Sequence, residues 1–316
     1  MTTATQYLRF QPAMLHLGRD LRRQGIEPLR GDFHRVRHGV VMADRMWQAL
    51  NPTDRHAAFV VATVAAAPAL EEWVLCRTSA AAVLGLPTIS PWPDVVHVLP
   101  SAGMDRRVRR GTGPIVQRHV GEVGSTVVVH GVRVTSPART IVDLARTGCL
   151  EDAVAAGDFA LRTGLMEQSD LAAEIAVVPP GTRGLPGARL AVDPMDGASG
   201  SPGESLSRVR MFRLNLPRPL LQKEFRDDRG RIGFSDFAWP GVVGEFDGKK
   251  KYGTEFAEDG GEVQEILWRE KQREDRLRRQ VRVARWTWAV ALDPARLAAI
   301  LGHVGIRPQL CNTWFT

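Results

Sequence analysis

Cysteine is scarce and poorly placed for chemistry. Cys76, Cys149 and Cys311 are odd in number, far apart and without a CxxC pair. That argues against a disulfide framework and a zinc site and fits a reducing cytosol. Long apolar runs are absent too. The longest mostly apolar stretch, Ala57 to Leu70, is broken by Thr63 and Pro68, and is too short for the ~20 residues a membrane helix needs. Met1 to Tyr7 lacks a basic segment leading into an apolar core, so no signal peptide is expected. The expectation is a soluble, cytoplasmic protein with no membrane partner.

Several catalytic motifs are also missing. Around Gly248-Lys249, Val243 replaces the first glycine of a phosphate loop and Lys250 its Ser/Thr,. Gly197-Ala198-Ser199-Gly200-Ser201 lacks the last glycine of a nucleophile elbow,. His34 and His38 are four apart with no glutamate between them, which excludes a zinc-hydrolase motif. With His97, His119 and His130 they read as surface or structural residues.

What is present points to a polyanion. The net charge is +7, which favours acidic partners without specifying a fold. Basic residues gather at Arg35 to His38, at Arg106-Arg107-Val108-Arg109-Arg110 and at Arg276 to Arg282, where they suit phosphate contacts. The 316 residues suffice for two domains with separate cores,.

The first half reads as α+β. A helix is expected from Ala13 to about Gln24. A basic hairpin or wing follows around Gly39, so residues 13–45 resemble a degenerate winged-helix segment. Helices are expected at 54–67, 78–84, 136–144 and 151–162, and short strands at 94–100, 116–120, 127–129 and 132–134. The Pro-, Gly- and Ser-rich stretch 179–200 reads as a linker with a short helical patch. The second domain, 201–316, is expected to run helix (204–214), strand (221–225), hairpin (232–247), helix (263–279), strand (281–288) and closing helix (294–301). That alternation implies an α/β unit with a mixed sheet flanked by helices.

The hairpin carries the chemistry. Pro240-Gly241 suits a tight reversal, and an even-numbered loop places Asp236 opposite Glu245. Asp247, two residues on, shares that face. Opposed like charges destabilise a sheet, so three gathered acids suit a bound cation. The opposite face, Phe237, Trp239, Val242 and Phe246, reads as packing surface. Lys249-Lys250-Lys251 follows at once, and lysine beside carboxylates suits metal-assisted phosphate chemistry. On the following helix Val263, Ile266, Leu267, Leu277 and Val281 form one apolar stripe with Glu270 and Glu274 at its centre. Buried carboxylates need a partner, either the same site or neighbouring arginines. Ser201-Pro202-Gly203-Glu204 is a capping box, and Glu204 in the first turn can also face the site.

These residues resemble a known arrangement. Asp236, Glu245-Phe246-Asp247-Gly248 and Glu270 to Leu277 look like the PD-(D/E)XK nuclease superfamily, and most like its very-short-patch-repair-related group. Glu204-Ser205-Leu206-Ser207-Arg208 resembles that group's first helix. Thr78 to Pro87 and Thr135 to Thr140 are similar to AbiEi-like type IV antitoxin proteins, which extends the resemblance over residues 1–178. In the superfamily the lysine stands two residues after the second acid, and here Asp247 holds that place. Either Asp247-Gly248-Lys249 supplies the motif or the lysine has moved to Lys250 or Lys251.

The resemblance implies a restriction-endonuclease-like fold and a Mg²⁺- or Mn²⁺-dependent DNA endonuclease acting in defence or repair. Asp236, Glu245, Asp247 and Glu204 would hold metal. Lys249, Lys251, Glu270 and Glu274 would serve catalysis. Arg35, Arg37, Arg106, Arg107, Arg109, Arg110, Lys271 and Arg273 would contact DNA. The alternative it implies is an antitoxin-like DNA-binding regulator, with a toxin or defence partner, whose nuclease fold is inactive.

Overall fold

Runs rich in Val, Thr and Trp form short strands in the first half of the chain, and alanine-rich stretches form its helices. The computed structural model describes residues 7–28, 32–67, 70, 72–100, 115–248 and 260–314. The chain divides into two units, Met1–Val192 and Asp193–Thr316. Both carry mixed sheets flanked by helices, an α/β arrangement. No helix among the described residues is long and apolar enough to cross a membrane.

The first unit opens with β1 (Leu15–Leu17), α1 (Gly18–Arg23), β2 (Phe33–Arg37), β3 (Val40–Ala43), α2 (Asp44–Ala49) and α3 (Pro52–Ala66). The three strands form one sheet in the order β1-β3-β2. The helix expected from Ala13 to Gln24 is therefore only half helical. Leu15, His16 and Leu17 pair with Met42, Val41 and Val40, and this pairing overrides a spacing that also suits a helix. Asn51 caps α3 by accepting from the Asp54 N–H. The buried Asp54 carboxylate in turn accepts from the backbone of Arg9 and Phe10, which fixes the segment entering β1.

A five-stranded sheet follows, built from β4 (Trp73–Leu75), β5 (Val96–Pro100), β6 (Val116–Arg118), β7 (Thr126–Val129) and β8 (Val132–Thr135), in the order β6-β5-β4-β8-β7. Around it lie α4 (Arg77–Val83), α5 (Pro137–Thr147), α6 (Leu150–Arg162), α7 (Gln168–Ala176) and α8 (Leu185–Val192). Ser136 caps α5, its hydroxyl accepting from the Arg139 N–H, with proline at the first turn,. The stretch expected to be a linker is only partly one. Leu185, Ala188 and Ala191 bury one side of α8 in the first unit, whose end falls at Val192.

The second unit follows the expected order: α9 (Pro202–Arg213), β9 (Leu220–Asp227), β10 (Gly230–Trp239), β11 (Val242–Asp247), α10 (Gly260–Arg278), β12 (Arg282–Thr287), α11 (Trp288–Ala291) and α12 (Pro294–His303). The sheet runs β12-β11-β10-β9, with antiparallel hairpins and one parallel pair, β11 with β12. A parallel pair needs a crossover, and α10 supplies it. Leu277 of α10 packs with Phe225, Ile232, Ala238 and Val243 on one face. On the other face Phe237 stacks on Trp286 at 5.2 Å. The Trp286 indole donates to the Ser207 hydroxyl of α9 at 2.8 Å.

Gly244 is required where these rings meet. A Cβ there would lie 2.5 Å from the Trp286 ring, and both strands around it are fixed by ladders. Gly244→Ala is expected to cost about 1–3 kcal/mol through overpacking, read as a lower denaturant midpoint for the second unit with an unchanged m-value.

Candidate acidic site

Pro240 and Gly241 form a two-residue turn, with Gly241 at φ +70. The ladder pairs Trp239 with Val242, Ala238 with Val243 and Phe237 with Gly244. Asp236 and Glu245 are the next opposed positions, in the expected register. The ladder ends there, leaving the Phe246 N–H without a strand partner, and the Asp236 carboxylate accepts it at 2.8 Å. A bulge between Arg231 and Gly233 sets the β9–β10 register. It brings Gln222 beside Asp236. The Gln222 amide donates to Asp236 Oδ1 and Glu204 Oε2, both at 3.4 Å.

Glu204 performs two tasks. It closes the start of α9, accepting from the Gly200 N–H at 2.7 Å and the Ser201 hydroxyl at 2.8 Å, while the Ser201 hydroxyl accepts the Glu204 N–H. It also faces Asp236 across Gln222. Burial above all, with the charges of Glu204 and Glu245 nearby, pushes the Asp236 carboxyl up to about 6 despite the Phe246 N–H. Gln222 holds this position at φ +47, a left-handed conformation that costs a non-glycine residue ~1–2 kcal/mol. Strain of this kind tends to gather at functional sites.

Glu245 is balanced differently. It is 8% exposed and lies beside Arg285 in the parallel ladder. The Arg285 guanidinium donates to it at 2.6 Å, and Arg273 of α10 at 3.0 and 3.1 Å. The same two guanidiniums reach Glu270 at 2.9–3.0 Å. Glu274 pairs with Arg285 at 3.3 Å and Arg278 at 2.6 Å. The hydrogen bond from Arg273, with Arg285 beside it, lowers Glu270 below the usual carboxylate range, and Glu270 with Glu245 raises Arg273. Of the two partners open to Glu270 and Glu274, the structure selects arginines.

The expected residues therefore separate. Glu204 and Asp236 meet through Gln222. Glu245, Glu270 and Glu274 form an ion-pair network with Arg273, Arg285 and Arg278. That occupies Arg273, which had been expected to contact DNA. Asp247 is exposed at the end of β11, and Lys271 is exposed on α10. Arg35 is exposed on β2, but Arg37 turns inward and donates to the Thr63 carbonyl at 2.8 Å. Lys249, Lys251, Arg106, Arg107, Arg109 and Arg110 lie outside the described residues, as do the side chains of Val263, Ile266 and Leu267. Among the described residues no group of three or more His, Cys, Asp or Glu side chains is placed to hold a metal ion.

Gln222 and Arg285 were not expected. Gln222 enters through the register after the bulge, and Arg285 through the parallel pairing across α10. Neither register leaves a local signal in the sequence.

No family model matches the chain. It is 34% identical over 167 residues to two uncharacterised proteins of Mycobacterium tuberculosis, from strains CDC 1551 and H37Rv. The match covers 53% of this chain and 59% of each relative, so the chain spans less than two thirds of the length of the curated relatives it matches.

The raised Asp236 carboxyl predicts a pH signature. The folded chain holds this proton more tightly than the unfolded chain, whose carboxyl has the ordinary value of 3.8. The group adds stability at low pH and loses it as pH rises from near 4 through about 6,. Asp236→Asn keeps an acceptor for the Phe246 N–H and removes the charge. Its melting temperature should exceed wild type above pH 6, with the gap closing toward pH 4; an equal or lower value at pH 8 would count against a strained carboxylate.

Proposed function

We propose that the second unit is a DNA phosphodiester hydrolase that uses Mg²⁺ or Mn²⁺, and that the first unit serves to bring it to DNA or to a protein partner such as a toxin or defence factor. One observation carries this reading. Glu204 and Asp236 approach the same Gln222 amide, at 3.4 Å each, with no arginine between them, at the open end of a sheet ladder. Two carboxylates without a cation suit a hard ion. Mg²⁺ keeps several waters and commonly takes only one or two protein carboxylates, completing its shell with phosphate oxygens.

Glu204 and Asp236 would hold the ion. It would supply a Lewis acid and an acidified water. The chain's own residues fix the rest. Gln222 orients both carboxylates, and the Phe246 N–H locks the Asp236 rotamer. The ion-pair network keeps α10 against the sheet beneath the site. Exposed Lys271 and Arg35, with the +7 net charge, favour a phosphate backbone. The lysine expected to position the attacking water belongs to Lys249–Lys251.

A second reading has its own observation. Glu245, the second acid of the motif, is neutralised by Arg273 and Arg285, which suits a domain that binds DNA without cutting it, as in a regulator.

Plasmid nicking separates the two. Wild type with Mg²⁺ or Mn²⁺ should nick supercoiled DNA. Asp236→Ala should fall by at least two orders of magnitude while retaining DNA binding in a gel-shift assay. Binding without metal-dependent nicking by concentrated wild type would favour the regulator and refute the enzyme.

A further inference from the structure

The first unit holds a cavity of about 930 Å³. Its wall joins the end of β4, the loop after β6, α5 and α7. Four groups on that wall point to one kind of ligand.

Arg77 lines the cavity at the first residue of α4 with φ +51. A left-handed arginine is strained, and strain persists where the surroundings over-determine it. The residue is half-buried, and its guanidinium forms no hydrogen bond or ion pair with a described residue. His119 lines the cavity beside it, its Nε2 2.8 Å from His97 Nδ1. Burial, with Arg77 nearby, pushes both imidazoles down to about 4, so His119 is a neutral hydrogen-bonding group. On α5, the Asp143 carboxylate lies between Arg139 at 3.1 Å and Arg146 at 3.4 Å, so α5 brings one net positive charge to a lining that also holds Glu122 and Asp170.

Glu174 of α7 completes the set. It lines the cavity at 8% exposure and has no hydrogen bond or ion pair among the described residues. A buried carboxylate without a partner is costly. It would repel a polyphosphate backbone, yet it accepts readily from hydroxyl or amine groups. Cys76 also lines the wall, but burial pushes its thiol up to about 12. It stays protonated, so the cavity is equipped for binding rather than covalent chemistry.

We propose that this cavity binds a small organic phosphate bearing hydrogen-bond donors, with the phosphate at Arg77 and His119 and hydroxyl or amine groups donating to Glu174. A volume near 930 Å³ lies within the usual range for small-molecule sites,. Nucleoside monophosphates and sugar phosphates share this chemistry, and the test distinguishes them. The proposal is independent of whether the second unit cuts DNA.

The test is calorimetric titration of the full chain with AMP, glucose 6-phosphate, inorganic phosphate, adenosine and glucose. AMP or glucose 6-phosphate should bind, and which one does identifies the source. Adenosine and glucose should not. Arg77→Gly should weaken the organic phosphate at least tenfold while the free protein melts no lower than wild type, because glycine accepts φ +51,. Glu174→Gln should weaken the organic phosphate and leave inorganic phosphate unchanged. Absence of organic phosphate binding at millimolar concentration would overturn the proposal. So would unchanged affinity in Arg77→Gly, tight binding of the unphosphorylated probes, or displacement of the bound probe by duplex DNA.

Discussion

The charge of Glu245 organises the second unit. It is buried on a central strand of a four-stranded sheet, where an unpaired carboxylate would cost several kcal/mol. Arg285 reaches it from the neighbouring strand and Arg273 from the crossover helix. The balance extends to Glu270 and Glu274, which share those guanidiniums. One buried acid thereby ties β11, β12 and α10 together. It also defines the site by contrast: the guanidiniums stop short of Asp236, and on that side of the strand pair Glu204 and Asp236 share only an amide.

The acids of the hairpin and of α10 therefore live in different electrostatic surroundings. Asp236 is pushed up by burial above all and by the like charges beside it, while Glu270 is held down by its arginines. Groups driven apart in this way commonly mark sites where chemistry or binding occurs. The same contrast carries both functional readings. The uncompensated pair favours a cation and catalysis, and the compensated Glu245 favours a binding role.

Much of the second unit was legible because its signals are local. A Pro-Gly turn and a period of two determine which hairpin residues oppose one another. A period of 3.6 brings Glu270 and Glu274 to the inner side of α10. The partners were not legible, because they depend on registers set over distance. Gln222 reaches Asp236 only after the bulge near Gly233. Arg285 reaches Glu245 only through a parallel pairing closed by a helix. In the first unit, Leu15–Leu17 carries a spacing compatible with a helix and becomes a strand by pairing with β3. Trp73–Leu75 is too short for any periodicity to register. Within the stretch read as a linker, the short helical patch forms as a helix at Leu185–Val192, with Pro186 and Gly187 inside its first turn and Leu185, Ala188 and Ala191 buried.

The central claim is that the uncompensated pair, and not Glu245, receives a divalent ion. Anomalous diffraction from crystals of the full chain soaked in Mn²⁺ tests it most directly. A peak is expected within coordinating distance of Asp236 and Glu204, with the Glu245 ion pairs to Arg273 and Arg285 retained. No peak at these carboxylates at millimolar Mn²⁺, or a peak on a Glu245 released from its arginines, would contradict it.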